Sequence, residues 1–338
     1  GADMVAYNDD YCGSASYIQY TVISSGCSDY CLHIGCFGSS SCSANVTASV
    51  IRQTALTPRF IYYLGNNSLS ASVSPRLSLY NLVLSSFGGS TYDGGAVYLN
   101  GVADVYLEMV EFRDSVGAMG GSLYVSHNDK SVVLKNCTFT NSTGSSGGGI
   151  CLDENVMQFS LVISQFTDCT ATSGGGLLVS TGNDNVGVYN SDFHNCRAEG
   201  EFSATGGGIT VDEDNDNFIM SGCSFDGCVS TFYGGSFASL SANFNSTILD
   251  SVISNGEADY GGGIFVGTGS SGFTIGESSV VNCTGSVDGG GIYLYVELDN
   301  VNIYNSSLSN NYAGNDGGKM FRSISEFVGY LIYFCISS

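Results

Sequence analysis

A pair of adjacent glycines returns nine times in this chain at a nearly constant interval, and few folds can house such a rhythm. The second glycine of each pair falls at Gly95, Gly121, Gly149, Gly176, Gly208, Gly235, Gly263, Gly291 and Gly318, at intervals of 26, 28, 27, 32, 27, 28, 28 and 27 residues. Shortly before each pair comes an apolar residue that keeps the same period: Phe87, Phe112, Phe139, Phe166, Phe193, Phe225, Val252, Val280 and Leu308. Two independent markers with one period identify a stacked repeat. With the apolar residue as position zero, position −1 is polar in every copy. Positions −5 and −7 are apolar, as in Leu107/Val105, Leu134/Val132 and Ile303/Val301. Only Thr247/Asn245 breaks the pattern, at a site of expected register slip. Alternation of this kind is the mark of a strand with one buried face. A further strand follows each glycine pair, as in Gly149-Ile150-Cys151-Leu152.

Three short strands per repeat, none able to bury its inward face alone, predict an all-β fold: one right-handed parallel β-helix whose coils stack on one another. The expected division is a Cys-rich N-terminal cap over 1–49, the β-helix over 50–318 and an apolar capping or subunit-contact segment over 319–338. Gly94-Gly95-Ala96, Gly148-Gly149-Ile150 and Gly262-Gly263-Ile264, each paired with a phenylalanine element, resemble the repeats of the chlamydial polymorphic outer-membrane protein family. That resemblance spans about 87–318 and implies a β-helix displayed at a cell surface, with adhesion as its role.

Charge narrows the partners. Lys+Arg is 9 and Asp+Glu is 31, for a net charge of −22. Between Asn136 and Gly318 the only base is Arg197. Nucleic acid, whose binding needs clustered cations, is therefore not an expected partner. The most apolar stretch, Phe327 to Ile336, is half the length of a spanning helix, so no membrane insertion is expected. The chain starts at Gly1 with no signal-peptide pattern, which fits a processed protein. Thirteen cysteines point to an oxidising, extracellular location, secreted or at the cell surface. Cys12, Cys27, Cys31, Cys36 and Cys42 read as disulfide staples of the cap. Cys169 and Cys196 share one position in successive coils with Cys228, and the row reads either as disulfide partners or as buried thiols.

Seven N-glycosylation sequons occur, at Asn45, Asn66, Asn136, Asn141, Asn245, Asn282 and Asn305. Asn141 and Asn282 share position +2, and Asn136 and Asn305 share position −3, which makes these four the leading glycan sites. A carboxylate stripe follows the glycine strand at Asp104, Asp129, Asp153, Asp184, Asp212 and Asp299. At Asp212, Asp214 and Asp216 its D-x-D-x-D spacing resembles a calcium loop, without the central glycine or the closing glutamate. No other cofactor is implied. The strand after the glycines is apolar at alternate and intervening positions, among them Leu178, Phe237, Phe265 and Tyr293. These residues are candidate contacts with other copies of the chain, together with Arg197 and Phe202 of the longest repeat.

The expectation is a non-enzymatic extracellular structural protein, a glycosylated subunit of a filament or surface assembly. A cell-surface adhesin or binding module is the alternative, and a polysaccharide lyase or hydrolase stands third.

Overall fold

Period-two strands with glycine corners do stack into a solenoid. The computed structural model describes residues 76–101, 104–128, 130–200, 203–318 and 320–322, with the strands Leu32–His33, Ser43–Thr47, Ile51–Arg52, Ile61–Leu64 and Leu331–Phe334. Every strand pairing is parallel and joins one coil to the next. One coil runs from Ile150–Leu152 through a corner to Phe159–Val162 and Gln165–Thr167, turns again into Thr170–Ala171, and reaches the next glycines. The first strand belongs to an 11-stranded sheet, the Gly–Gly sheet. The middle two enter an 18-stranded sheet bent once per coil, and the last joins a 6-stranded sheet.

The core is built of rows of one residue type. Phe112, Phe139, Phe166, Phe193 and Phe225 stack with ring centroids 4.5–4.7 Å apart and planes within 7° of parallel. That spacing is the distance between neighbouring strands, so the ladder sets the ring geometry instead of the usual offset preference. Two positions earlier runs an inward polar row. Ser164 Oγ accepts from the Cys137 amide at 3.1 Å and donates to the Val162 carbonyl at 3.1 Å. Ser251, Ser278 and Ser306 repeat the arrangement, so each buried hydroxyl is satisfied. A third row, Asn183, Asn215 and Asn243, lines a corner. The side chain of Asn215 accepts from the Asn183 amide at 2.8 Å and that of Asn243 accepts from the Asn215 amide at 3.0 Å.

The structure corrects the register in three places. Phe225 pairs with Ile253, which then pairs with Val280. Position zero of that coil is therefore Ile253, and Val252 lies 46% exposed. The apparent break at Thr247/Asn245 resolves into Ile248 at the buried position −5 and a buried serine, Ser246, at −7. In the first coil Leu84, not Phe87, pairs with Phe112. Where glycines come in threes, the corner pair is the first two. Gly147 takes φ +63, and a Cβ on Gly148 would lie 2.2 Å from the Gly175 carbonyl oxygen. The first glycine of a pair serves the backbone angle and the second serves close approach of adjacent coils.

Parallel pairing is present toward both ends of the solenoid as well. Ser43–Thr47 pairs with Arg76–Ser85, Leu32–His33 pairs with Ile61–Leu64, and Met320–Arg322 and Leu331–Phe334 join the far end.

Candidate functional site

The outward face of the Gly–Gly sheet carries two side-by-side rows. The first is Tyr98, Tyr124, Cys151, Leu178, Thr210, Ala238, Phe265 and Tyr293, one residue per coil in register. These apolar groups cover one another in two clusters. Tyr124, Cys151 and Leu178 pack with Tyr98 and Met119. Ala238, Phe265 and Tyr293 pack with Tyr233, Leu240 and Tyr260. Tyr233 stacks on Phe265 at 4.2 Å, and Phe265 on Tyr293 at 5.7 Å. Phe265 and Tyr293 are consequently only 4% and 6% exposed. The apolar stripe expected as a contact surface is covered by its own chain. Phe237 is corrected further, because the register places it in the core at 0% exposure. Leu178, Phe265 and Tyr293 do face outward, as expected. Arg197 is exposed in the 6-stranded sheet, where its row neighbours are Thr170 and Val229. Phe202 lies outside the described residues.

The second row holds the polar chemistry. Asp153, Ser180 and Asp212 follow Leu152, Val179 and Val211, which are paired in register. The two carboxylates are thus two rungs apart, roughly 9.6 Å at the usual ~4.8 Å strand spacing. Ser180 sits between them, and all three are half-buried. Tyr124 donates its hydroxyl to Asp153 Oδ2 at 2.6 Å. Burial, reinforced by that bond, raises the Tyr124 phenol and keeps it a donor. Burial, then the neighbouring Glu213, raises the Asp212 carboxyl above the usual carboxylate value. Two carboxylates on one outward row, one biased toward its protonated form, are the residue types that a general acid and a general base acting through a water require. Both belong to the acidic stripe legible in the sequence, but only the register across coils pairs them.

The remaining candidates scatter. Asp212 faces out one residue before the end of its strand, Asp214 turns at φ +55, and Asp216 bridges to Asp184 and Phe244 at a corner. No group of three or more His, Cys, Asp or Glu side chains among the described residues gathers to hold a metal. Of the stripe, Asp129 lies outside the described residues.

Cys169 and Cys196 are not joined. Among the described residues they belong to seven free, buried thiols with Cys137, Cys151, Cys223, Cys228 and Cys283. Parallel rungs in register hold adjacent Cβ atoms near ~4.8 Å, beyond the ~3.5–4.5 Å of a disulfide. Cys169 Sγ instead donates to the Phe139 carbonyl of the preceding coil at 3.5 Å. Cys12, Cys27, Cys31, Cys36 and Cys42 lie outside the described residues.

Asn136, Asn141, Asn245, Asn282 and Asn305 are all exposed, and all five take a left-handed φ of 46–56°. Asparagine tolerates that conformation better than most residues, so the turns alone favour it there. Asn66 lies outside the described residues, as does the side chain of Asn45.

No curated protein and no solved structure matches the chain. One family model, described as a right handed beta helix region, matches residues 95–308. That match spans the stacked coils carrying the phenylalanine row, the serine row and the paired aspartates, and the chain belongs to the right-handed β-helix family.

Proposed function

We propose that the chain is a non-enzymatic extracellular structural protein, a rigid rod that assembles with copies of itself into a filament or surface coat and carries N-linked glycans. The family includes adhesins, lyases and hydrolases, so membership alone does not choose among them. The observation that carries the structural half of the reading is the filling of both faces of the Gly–Gly sheet, which stiffens the rod and leaves assembly to surfaces other than this self-covered one. Its inward side is core, and its outward row is packed into two self-covering clusters. A sheet apolar on both sides and cross-linked by ring and amide rows gains stiffness. The five exposed sequons support glycan carriage outside the cell. Electron microscopy of the purified chain tests assembly: filaments or ordered sheets are expected, and single monodisperse rods at every concentration would overturn it.

A hydrolase acting on neutral glycans is the second reading, favoured by Asp153 and Asp212 on one outward row. Release of reducing ends from neutral polysaccharides, lost in both Asp153→Asn and Asp212→Asn, would replace the structural reading with this one.

A further inference from the structure

A concavity of about 290 Å³ opens on the 18-stranded sheet, on another side of the rod from the paired aspartates. Its origin is a gap in an outward row, where Ser160 and Gly187 stand in register before Ile219. The Tyr189 ring leans over Gly187, within 2.8 Å of where a Cβ would be. Along the rim run Asn185 and Asn217, both exposed. None of the ten lining residues is acidic or basic, in a chain of net charge −22. A wall of ring, methyl and amide groups without charge suits an uncharged polyhydroxyl ligand, which offers an apolar ring face and many hydrogen-bonding groups.

The rim amides continue one rung beyond the cavity. Asn217 Nδ2 donates to Asn185 Oδ1 at 3.4 Å, and Asn245 Nδ2 donates to Asn217 Oδ1 at 3.3 Å. Asn245 is a sequon asparagine. A glycosylated asparagine keeps one N–H, enough for a single bond to Asn217 Oδ1 that would hold the linkage at the edge of the cavity. We infer that the concavity around Gly187 and Tyr189 seats the proximal sugars of a glycan attached to Asn245 of the same chain. This rests on the glycoprotein reading above. The docked sugar covers Ile219, which is otherwise 37% exposed, and ties four successive coils together along their outer face.

The test uses the full chain secreted from a eukaryotic host, with the Asn141 and Asn282 glycans as controls within the same molecule. Native endoglycosidase release is followed site by site through glycopeptide mass spectrometry. A glycan docked four-fifths of the time is released about fivefold more slowly than an undocked one. Release at Asn245 is expected to lag the two controls by that order. Ser160→Ile fills the gap with a residue suited to an outward strand position, and it brings Asn245 level with the controls. Asn217→Gly removes the linking amide, keeps the left-handed φ accessible, and has the same effect. Equal release at all three sites in the unaltered chain overturns the docking, as does an empty Asn245 beside occupied Asn141 and Asn282. If none of the three carries a glycan, the glycoprotein reading falls as well.

Discussion

At the scale of single residues, the corners reveal what each position demands. Positions −3 and +2 of nearly every coil adopt left-handed backbone, and asparagine, aspartate or glycine usually fills them. Ile163 does not fit. It takes φ +51 at position −3, where its neighbours in the row are Asn136 and Asn190, and its side chain is 52% exposed. A β-branched residue there is strained by about 1–2 kcal/mol and gains little from burial. Ile163→Asn should therefore raise the urea midpoint by about 1 kcal/mol of stability with an unchanged slope, and a lower midpoint would show that the isoleucine packs usefully. The glycines divide more sharply. A methyl on Gly148 meets a carbonyl oxygen at 2.2 Å, whereas one on Gly89 meets only the Tyr92 ring at 3.6 Å. Gly148→Ala should cost more than about 3 kcal/mol, because the neighbouring coil must move apart, while Gly89→Ala stays within about 0.5 kcal/mol. Thermal melts of the two variants side by side would check this, and equal losses would show that the contact between coils yields.

At the scale of the coil, the unit of exchange is one full turn of the ladder. Deleting residues 150–176 joins Gly149 to Leu177 and removes one strand from each face, with Phe166 and Cys169. Phe139 then meets Phe193 in the same register. Because each coil contacts only its neighbours, the shortened chain should fold with unchanged ellipticity per residue and a slightly larger elution volume in size exclusion, at reduced stability. Deleting 150–163 instead would leave the faces out of phase, and loss of the cooperative transition is expected. If both deletions behave alike, the coil is not the folding unit. This same periodicity explains what could be read beforehand. Coil length, inward rows and the corner glycines were legible because stacking repeats them. The slips at Ile253 and Leu84 were not, because the alternatives, Val252 one residue away and Phe87 three residues away, are equally apolar and only pairing across coils separates them. The Asp153–Asp212 relation was hidden for the same reason. The Gly187 cavity left one faint trace, a glycine inside the alternating Val186–Tyr189 strand, where glycine signals close approach of another group.

At the scale of the whole rod, the buried thiols make stability a function of pH. Burial pushes Cys137, Cys223 and Cys283 up to about 11, and also raises Cys151 and Cys196 well above the ordinary thiol value. In the unfolded chain such thiols ionise near ~8.5. Below that value both states hold the proton and the stability is fully present. Between there and about 11 the unfolded chain releases protons that the folded rod retains, so stability falls as pH rises. Each thiol contributes a slope of about 1.4 kcal/mol per pH unit in that window, so the three together approach about 4 kcal/mol per unit. Urea midpoints measured from pH 7.5 to 10.5 should drop steeply above pH ~9. The control uses the chain's own solution to the same site: Cys137 and Cys223 share their inward row with Ser164, Ser191 and Ser251. Cys137→Ser with Cys223→Ser therefore keeps the carbonyl bonds while removing two ionisable groups, and should flatten the profile by about two-thirds of the three-thiol slope. A profile equally steep in that variant would move the cause from the thiol rows to repulsion among the many carboxylates, which a parallel series at high salt would then relieve.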